Sequence, residues 1–443
     1  MLCREWFERL WIRQEIALAN PDAIVVCGTS VVRWQVFRRA CACIYTKHRQ
    51  DFRFGDQLRG RLDDISGLLS QPRHVSLNEL REYFSAAKCS DDRDRIYAVA
   101  SLLGGSGDEK KDDTLHIKPD YTKSVPQVYT DAALRGFRYC NNLYLLLQCN
   151  FNPAPKVPSW VPDWSVTTGN FDELGIPHAG GPFTADPIFL DSGRLKVSAV
   201  HIGTVDKLRP LELGFPFRFT RTATVLSQLL SPDDLNADYM GLYSRIDAFV
   251  RTLCLDDFDE LRDPPVPSRS NFQANRQYLT EWVSGKRDPS DISTVTRSAE
   301  LFLNRASSSL KYRCIYETAE GYVGLGTVSA ELGDQVIVII GCSVPMPVRP
   351  LTNGNFKVVG ACYTCGISYG EALLGQLPDG IKRIHRLDKT SGVWEPVYLN
   401  TMTGEVSRFD PRIDEGFPYH IEFRKAFEAN ANVALGIDDK LVK

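Results

Sequence analysis

The 443-residue chain lacks several features that would assign a function early. No apolar run approaches the roughly 20 residues of a membrane-spanning helix. The longest, Val336–Ile340, stops at Gly341 and then meets Pro345 and Pro347. Basic excess is missing as well: 52 Lys and Arg stand against 55 Asp and Glu, a formal net charge of −3. Such a balance offers no field to draw in nucleic acid or an anionic membrane, and neither is expected as a partner. The opening MLCREWFERLW has charges throughout and no small-residue cleavage site, so a cytoplasmic location is expected. Phosphate-binding, dinucleotide-binding, nucleophile-elbow and HExxH spellings are all missing, which points to no cofactor. The seven histidines are scattered, and no Ser-His-Asp arrangement follows from them.

Twelve cysteines are present, yet only Cys362 and Cys365 form a CxxC. A zinc site needs four ligands, and no second pair completes one, so no metal is expected. A redox pair should open a helix after a strand. This pair lies in a Gly-rich, β-like stretch, and buried, inert thiols are the simpler expectation. With 43% hydrophobic and 24% charged residues, the chain is globular and long enough for two or three domains.

Local patterns predict a mixed α+β chain. Residues 3–19 carry Trp6, Phe7, Leu10 and Trp11 at helical spacing, and Asn20-Pro21-Asp22 stops them. Ala23–Gly28 reads as a short buried strand, and Arg33–Lys47 as a second helix. Ser76-x-x-Glu79 is a capping-box spelling ahead of a helix to about residue 88. Ser90-Asp91-Asp92 would cap a helix ending at Gly104-Gly105. Ser124 with Pro126 predicts a helix over about 125–140. PSWVPDWS, residues 158–165, is too proline-rich for a regular element and reads as a rigid connector whose indoles pack on something. Beyond it, Arg194–Val205 reads as a strand, and residues 221–230, 239–255, 271–284 and 292–305 as helices. Residues 312–361 read as β strands of a barrel-like unit, and 393–410 as a hairpin turning near Met402–Gly404.

Four blocks, taken in order, resemble the fungal heterokaryon incompatibility (HET) domain family. The first is Trp6-Phe7-x-Arg9-Leu10-Trp11-Ile12-x-Gln14-Glu15, running on to Cys27-Gly28 and Trp34. Asp92-Arg93-Asp94-Arg95-Ile96-Tyr97-Ala98 is the second. The third is Pro119-Asp120-Tyr121 with Val128-Tyr129, followed by Trp160, Asp163 and Trp164 of the connector. The fourth joins Gly321–Gly326, Gly333-Asp334, Val358–Tyr363 and Gly370-Glu371-Ala372. Two segments common in the family's N-terminal half do not occur. The resemblance therefore implies residues 1–50 as the C-terminal remnant of a TIR-like α/β layer. A helical region over 51–165, a mainly helical region over 166–310, a β-rich region over 311–420 and a polar tail over 421–443 would follow.

The resemblance implies a role in allorecognition and linked programmed cell death, through protein partners, self-association or full-length relatives. Some TIR-like domains cleave NAD with a glutamate four residues after a tryptophan, and Trp11 and Glu15 have that spacing. On a helix the two would share a face, and Glu15 would be the catalytic carboxylate. The plainer reading pairs Glu15 with Arg4, Arg9 or Arg13 and leaves Trp11 in the core. A third possibility is a truncated paralogue without activity of its own. Interaction rather than turnover is the favoured mechanism, and it predicts an exposed apolar patch around Trp6, Trp11, Val25 or Val26. For Asp91–Arg95, helix capping is the expected role. Asp163 is expected to accept backbone amides in its turn. Tyr398 to Arg412 is similar to the second half of a WW module, with Phe409 where the second Trp would stand; a structural hairpin is expected there.

Overall fold

The computed structural model describes residues 4–20, 22–48, 62, 77, 84–103, 117–152, 155–166, 178–190, 193–210, 219–291, 293, 295–388 and 394–413. The capping box at Ser76, the Gly104-Gly105 stop and the tail over 421–443 lie outside them. The chain forms two compact units, one of residues 1–148 and 153–170, the other of residues 149–152 and 171–443.

In the first unit, helix α1 (Trp11–Ala17) precedes strands β1 (Ile24–Cys27) and β2 (Ser30–Arg33) and helix α2 (Trp34–His48). Gly28, at φ +62°, makes the two-residue turn that closes β1 on β2 as an antiparallel hairpin. This corrects two expectations. The strand over residues 23–28 is not fully buried, and it does not sit in a parallel layer among the described residues. With one partner strand and a helix on one side only, alternate residues must face water. Val25 turns inward to Phe7, Ile12, Trp34 and Cys41, while Ile24, Val26 and Val31 are 58–61% exposed.

The helix expected after Ser90 is a single turn, α3 (Asp94–Tyr97), followed by a 3-10 turn at Ala100–Leu102. Helix α4 (Val125–Cys140) matches its expected span. Ser124 and Gln127 form a capping box, Pro126 lies in the first turn, and Asn141 ends the helix at φ +50°. A Cβ on Gly136 would come within 2.8 Å of the methyls of Leu145 and Leu77, so glycine permits that close approach.

In the second unit the expected long strand splits. A hairpin of β3 (Ile188–Leu190) and β4 (Arg194–Lys196) precedes β5 (Ala199–Pro210). Helix α5 (Phe219–Ser227) follows. Next comes a short hairpin of β6 (Asp238–Tyr239) and β7 (Tyr243–Ser244), where a helix from 239 was expected. Met240 and Gly241, both at positive φ, force that turn. Helix α6 (Arg245–Cys254) begins only after it, followed by β8 (Arg262–Asp263), α7 (Phe272–Val283) and α8 (Arg297–Leu310). Side-chain acceptors at Ser244, Asn271 and Thr296 cap α6, α7 and α8.

Strands β9 (Arg313–Thr318), β10 (Val323–Thr327), β11 (Gln335–Ile339), β12 (Pro345–Pro350), β13 (Phe356–Val358) and β14 (Tyr363–Thr364) join β5 in one antiparallel sheet. Its order is β13-β12-β11-β5-β9-β10-β14. A flat sheet of seven strands would hold its edges about 29 Å apart. Only residues 359–362 separate β13 from β14, a reach of about 19 Å at most. The sheet must therefore curl, although its ladder does not close. The amides of Val359 and Cys362 donate to Pro347 and Pro345, carrying the chain round from one edge to the other. Because β5 lies mid-sheet, a boundary at residue 310 divides no compact unit.

The one-turn helix α9 (Glu371–Leu374) leads to a second sheet. Here β15 (Ile381–Leu387), β16 (Trp394–Asn400) and β17 (Val406–Ser407) form a meander with β8 parallel to β15. The turn falls at 401–405 as expected, with Asn400 accepting the amides of Met402 and Thr403. Tyr398 is buried and its hydroxyl donates to Asp410, so it does not line a WW-type peptide groove.

Candidate functional site

Residues from the first three sequence blocks converge on Asp94 in the first unit. This carboxylate is buried at the start of α3. Its Oδ2 accepts the Trp11 indole N–H at 3.0 Å, and its Oδ1 the Tyr121 hydroxyl at 2.7 Å. Asp94 is thus a buried acceptor joining distant segments, not a helix cap. The local turn belongs to Asp91, which accepts the Arg93 amide and holds its guanidinium at 2.7 Å. Those Arg93 contacts keep the Asp91 carboxyl below the usual carboxylate range. The Arg93 Nη1 reaches on to the carbonyls of Tyr121 and Lys123, and the guanidinium lies 5.1 Å over the Tyr121 ring. Burial, helped by Asp94, pushes the Tyr121 phenol up to about 12.

The neighbours are tied in similarly. Tyr97 donates to the Asp120 carbonyl, Tyr129 to that of Asp92, and Arg95 to that of Ala87. Trp164 meets Tyr129 edge-on at 5.2 Å, and Trp160 leans on Phe137. The connector's indoles therefore pack on α4. Asp163 accepts the Ser165 amide at 3.0 Å, as expected of a turn residue. In the sequence, the Pro-Asp-Tyr spelling of the third block is what marks Tyr121, and it gives no sign of the contact with Asp94.

The remaining first-block residues do not join this knot. Glu15 and Arg9 lie exposed, Trp34 is in the core, Gly28 is in the hairpin turn, and Trp6 packs edge-on against Phe7. Gln14 is half-buried on α1. Trp11 gives its one polar atom to Asp94, while Glu15 faces solvent.

Beside the knot opens a cleft of about 400 Å³ lined by Tyr97, Lys118, Asp120, Lys123, Asp131 and Arg135. Lys123 pairs with Asp131 at 2.5 Å. Among the described residues, its lining includes no histidine, cysteine or serine. Among the described residues, no group of three or more His, Cys, Asp or Glu has metal-holding geometry. Cys362 and Cys365 are fully buried, and burial pushes the Cys362 thiol up to about 12, which leaves it protonated.

Asp94→Ala would leave the Trp11 N–H without its acceptor in a half-buried setting. A stability loss of about 1–3 kcal/mol is expected, measured by urea unfolding followed through tryptophan fluorescence.

The curled seven-stranded sheet fits the family model that the chain matches. Residues 292–376, from just before α8 through α9, match the Het-6 beta-barrel domain. Over a longer stretch the chain is 24% identical to heterokaryon incompatibility protein 6, OR allele, of Neurospora crassa, in an alignment of 456 residues. That alignment covers 83% of this chain and 64% of the relative. Both findings bear out the resemblance to fungal HET-domain proteins carried by the four sequence blocks. No solved structure matches the chain. Among the described residues, no helix is long and apolar enough to cross a membrane.

Proposed function

We propose that this protein acts in fungal heterokaryon incompatibility, the recognition of non-self after fusion of unlike cells, and in the growth arrest and cell death linked to it. The observation that carries the reading is the similarity to heterokaryon incompatibility protein 6 along 83% of the chain. Its mode of action is protein–protein contact in the cytoplasm, including self-association, rather than turnover. The outward face of the β1–β2 hairpin supports that mode, because Ile24, Val26 and Val31 form a β-branched stripe open to water.

The test replaces the gene in one of two fusion-compatible strains with an unlike allele and scores survival of fused cells. Fused cells are expected to die or arrest; normal survival in every allele combination overturns the reading. A Val26→Lys, Val31→Lys protein should unfold within about 0.5 kcal/mol of the parent, since both positions are exposed. The same protein should no longer support the response if the hairpin face makes the contact.

A further inference from the structure

The second unit gathers three arginines on one buried carboxylate. Asp257, at the end of the turn after α6, is buried, with a side chain 6% exposed. Three guanidinium groups converge on it. Arg262 of β8 donates from Nη2 at 2.8 Å, Arg269 pairs through Nη1, and Arg305 of α8 lies 3.7 Å away. Three guanidinium groups thus share one carboxylate, and Arg305 also donates from Nε to the Cys254 carbonyl.

The other acidic groups of this region are already engaged. Asp256 takes Arg251 and the Tyr363 hydroxyl. Asp263 pairs with Arg386 at 2.7 Å. Asp259 accepts the Val266 amide, and Glu260 the Phe272 amide. Arg383, on β15 beside β8, adds further positive potential at Arg262.

Arg262 is the most buried of the three. Its side chain is 4% exposed, and its guanidinium lies over the Trp394 ring at 4.8 Å. Stacking fixes the plane and leaves the N–H groups along its rim to make hydrogen bonds. Yet Nε and Nη1 of Arg262, and Nε of Arg269, are buried without an acceptor. A guanidinium has five N–H donors, and burying an unanswered one costs more than a typical hydrogen bond contributes net. Burial, together with repulsion from Arg305, lowers the proton affinity of both Arg262 and Arg269. The Arg269 and Arg305 side chains remain 32% and 20% exposed, so the cluster meets solvent on their side, with the Arg262 N–H groups behind them.

We propose that Arg262, Arg269 and Arg305 form a binding site for a phosphate group, either inorganic phosphate or a phosphate monoester. The oxygens of a tetrahedral phosphate supply the acceptors that the buried guanidinium N–H groups lack. Stacking on Trp394 holds Arg262 in place before the ligand arrives.

Thermal unfolding of the full chain tests the site. Tm is followed while sodium phosphate, or free phosphoserine, replaces sodium chloride at constant ionic strength. A saturable rise is expected, reaching about 5 °C near a hundred times Kd. Arg262→Met should weaken phosphate binding about 10–100-fold, and Arg269→Gln, at the solvent-facing rim, about 10-fold. If Arg262→Met does not fold, Arg269→Gln and the parent titration decide the matter. An equal response to phosphoserine and inorganic phosphate identifies an esterified ligand as admissible; a response to inorganic phosphate alone restricts the site to the free ion. A Tm that follows chloride and phosphate alike, or an Arg269→Gln protein that binds as tightly as the parent, overturns the proposal.

Discussion

Replacing Arg349 by Met is expected to lower the stability of the second unit by about 3–5 kcal/mol. Arg349 grips Asp334 through two nitrogens, at 2.8 and 3.1 Å, and reaches Glu331 and the Ser329 carbonyl with the rest of its fork. The Asp334 side chain is only 1% exposed. Without its partner that carboxylate is a lone buried charge; the ion pair itself is worth much less than the cost of breaking it. The aliphatic stem of Met would keep contact with Phe151, over whose ring the guanidinium lies at 4.3 Å. Urea unfolding should therefore show the midpoint falling with little change in slope. The double variant Arg349→Met, Asp334→Leu should recover part of the loss. A single variant within about 1 kcal/mol of the parent would refute the assignment of Asp334 as a buried partner that depends on Arg349.

Phe302→Ala should produce a loss of similar size, about 3–5 kcal/mol. Phe302 is fully buried on α8, and its ring stacks on Trp282 of α7 at 6.0 Å, nearly parallel. Deletion removes both the transfer free energy of the ring and its contacts with the indole, in a packed layer of four helices with little room to collapse. Tyr312→Ala is the control, because Tyr312 is 67% exposed and should change stability by less than about 0.5 kcal/mol apart from its left-handed backbone. Quenching or shift of Trp282 emission in folded Phe302→Ala would report the loosened stack independently of the unfolding curve. Equal midpoints for the Phe302 variant and the Tyr312 control would show that this layer does not depend on the ring.

What could be read from the sequence follows the range of the forces involved. Helix α4 is set by its own residues, with Ser124 and Gln127 closing the cap and Asn141 the end, and its span was legible as about 125–140. The turn at 401–405 is likewise local. Ala23–Gly28 was legible as a strand from its β-branched run, but which face met water depended on how many layers covered it. Asp94 sits in a helix-start spelling, and its partners Trp11 and Tyr121 are 83 and 27 residues away, so its acceptor role left no local trace. The placement of β5 beside β9 and β11 was hidden for the same reason. The convergence of three arginines on Asp257 was also invisible, because a chain with 52 basic and 55 acidic residues looks balanced until folding sorts the charges.

The mid-sheet position of β5 also governs how the chain can be made. Its last residue, Pro210, leaves the ribosome about 100 residues before β9 begins at Arg313, and β11 comes later still. At about 5–20 residues per second, β5 waits on the order of ten seconds with both hydrogen-bonding edges open. For that interval the nascent chain carries a twelve-residue unpaired strand, so its yield in a cell will track the holding capacity of chaperones more closely than the final stability of the sheet.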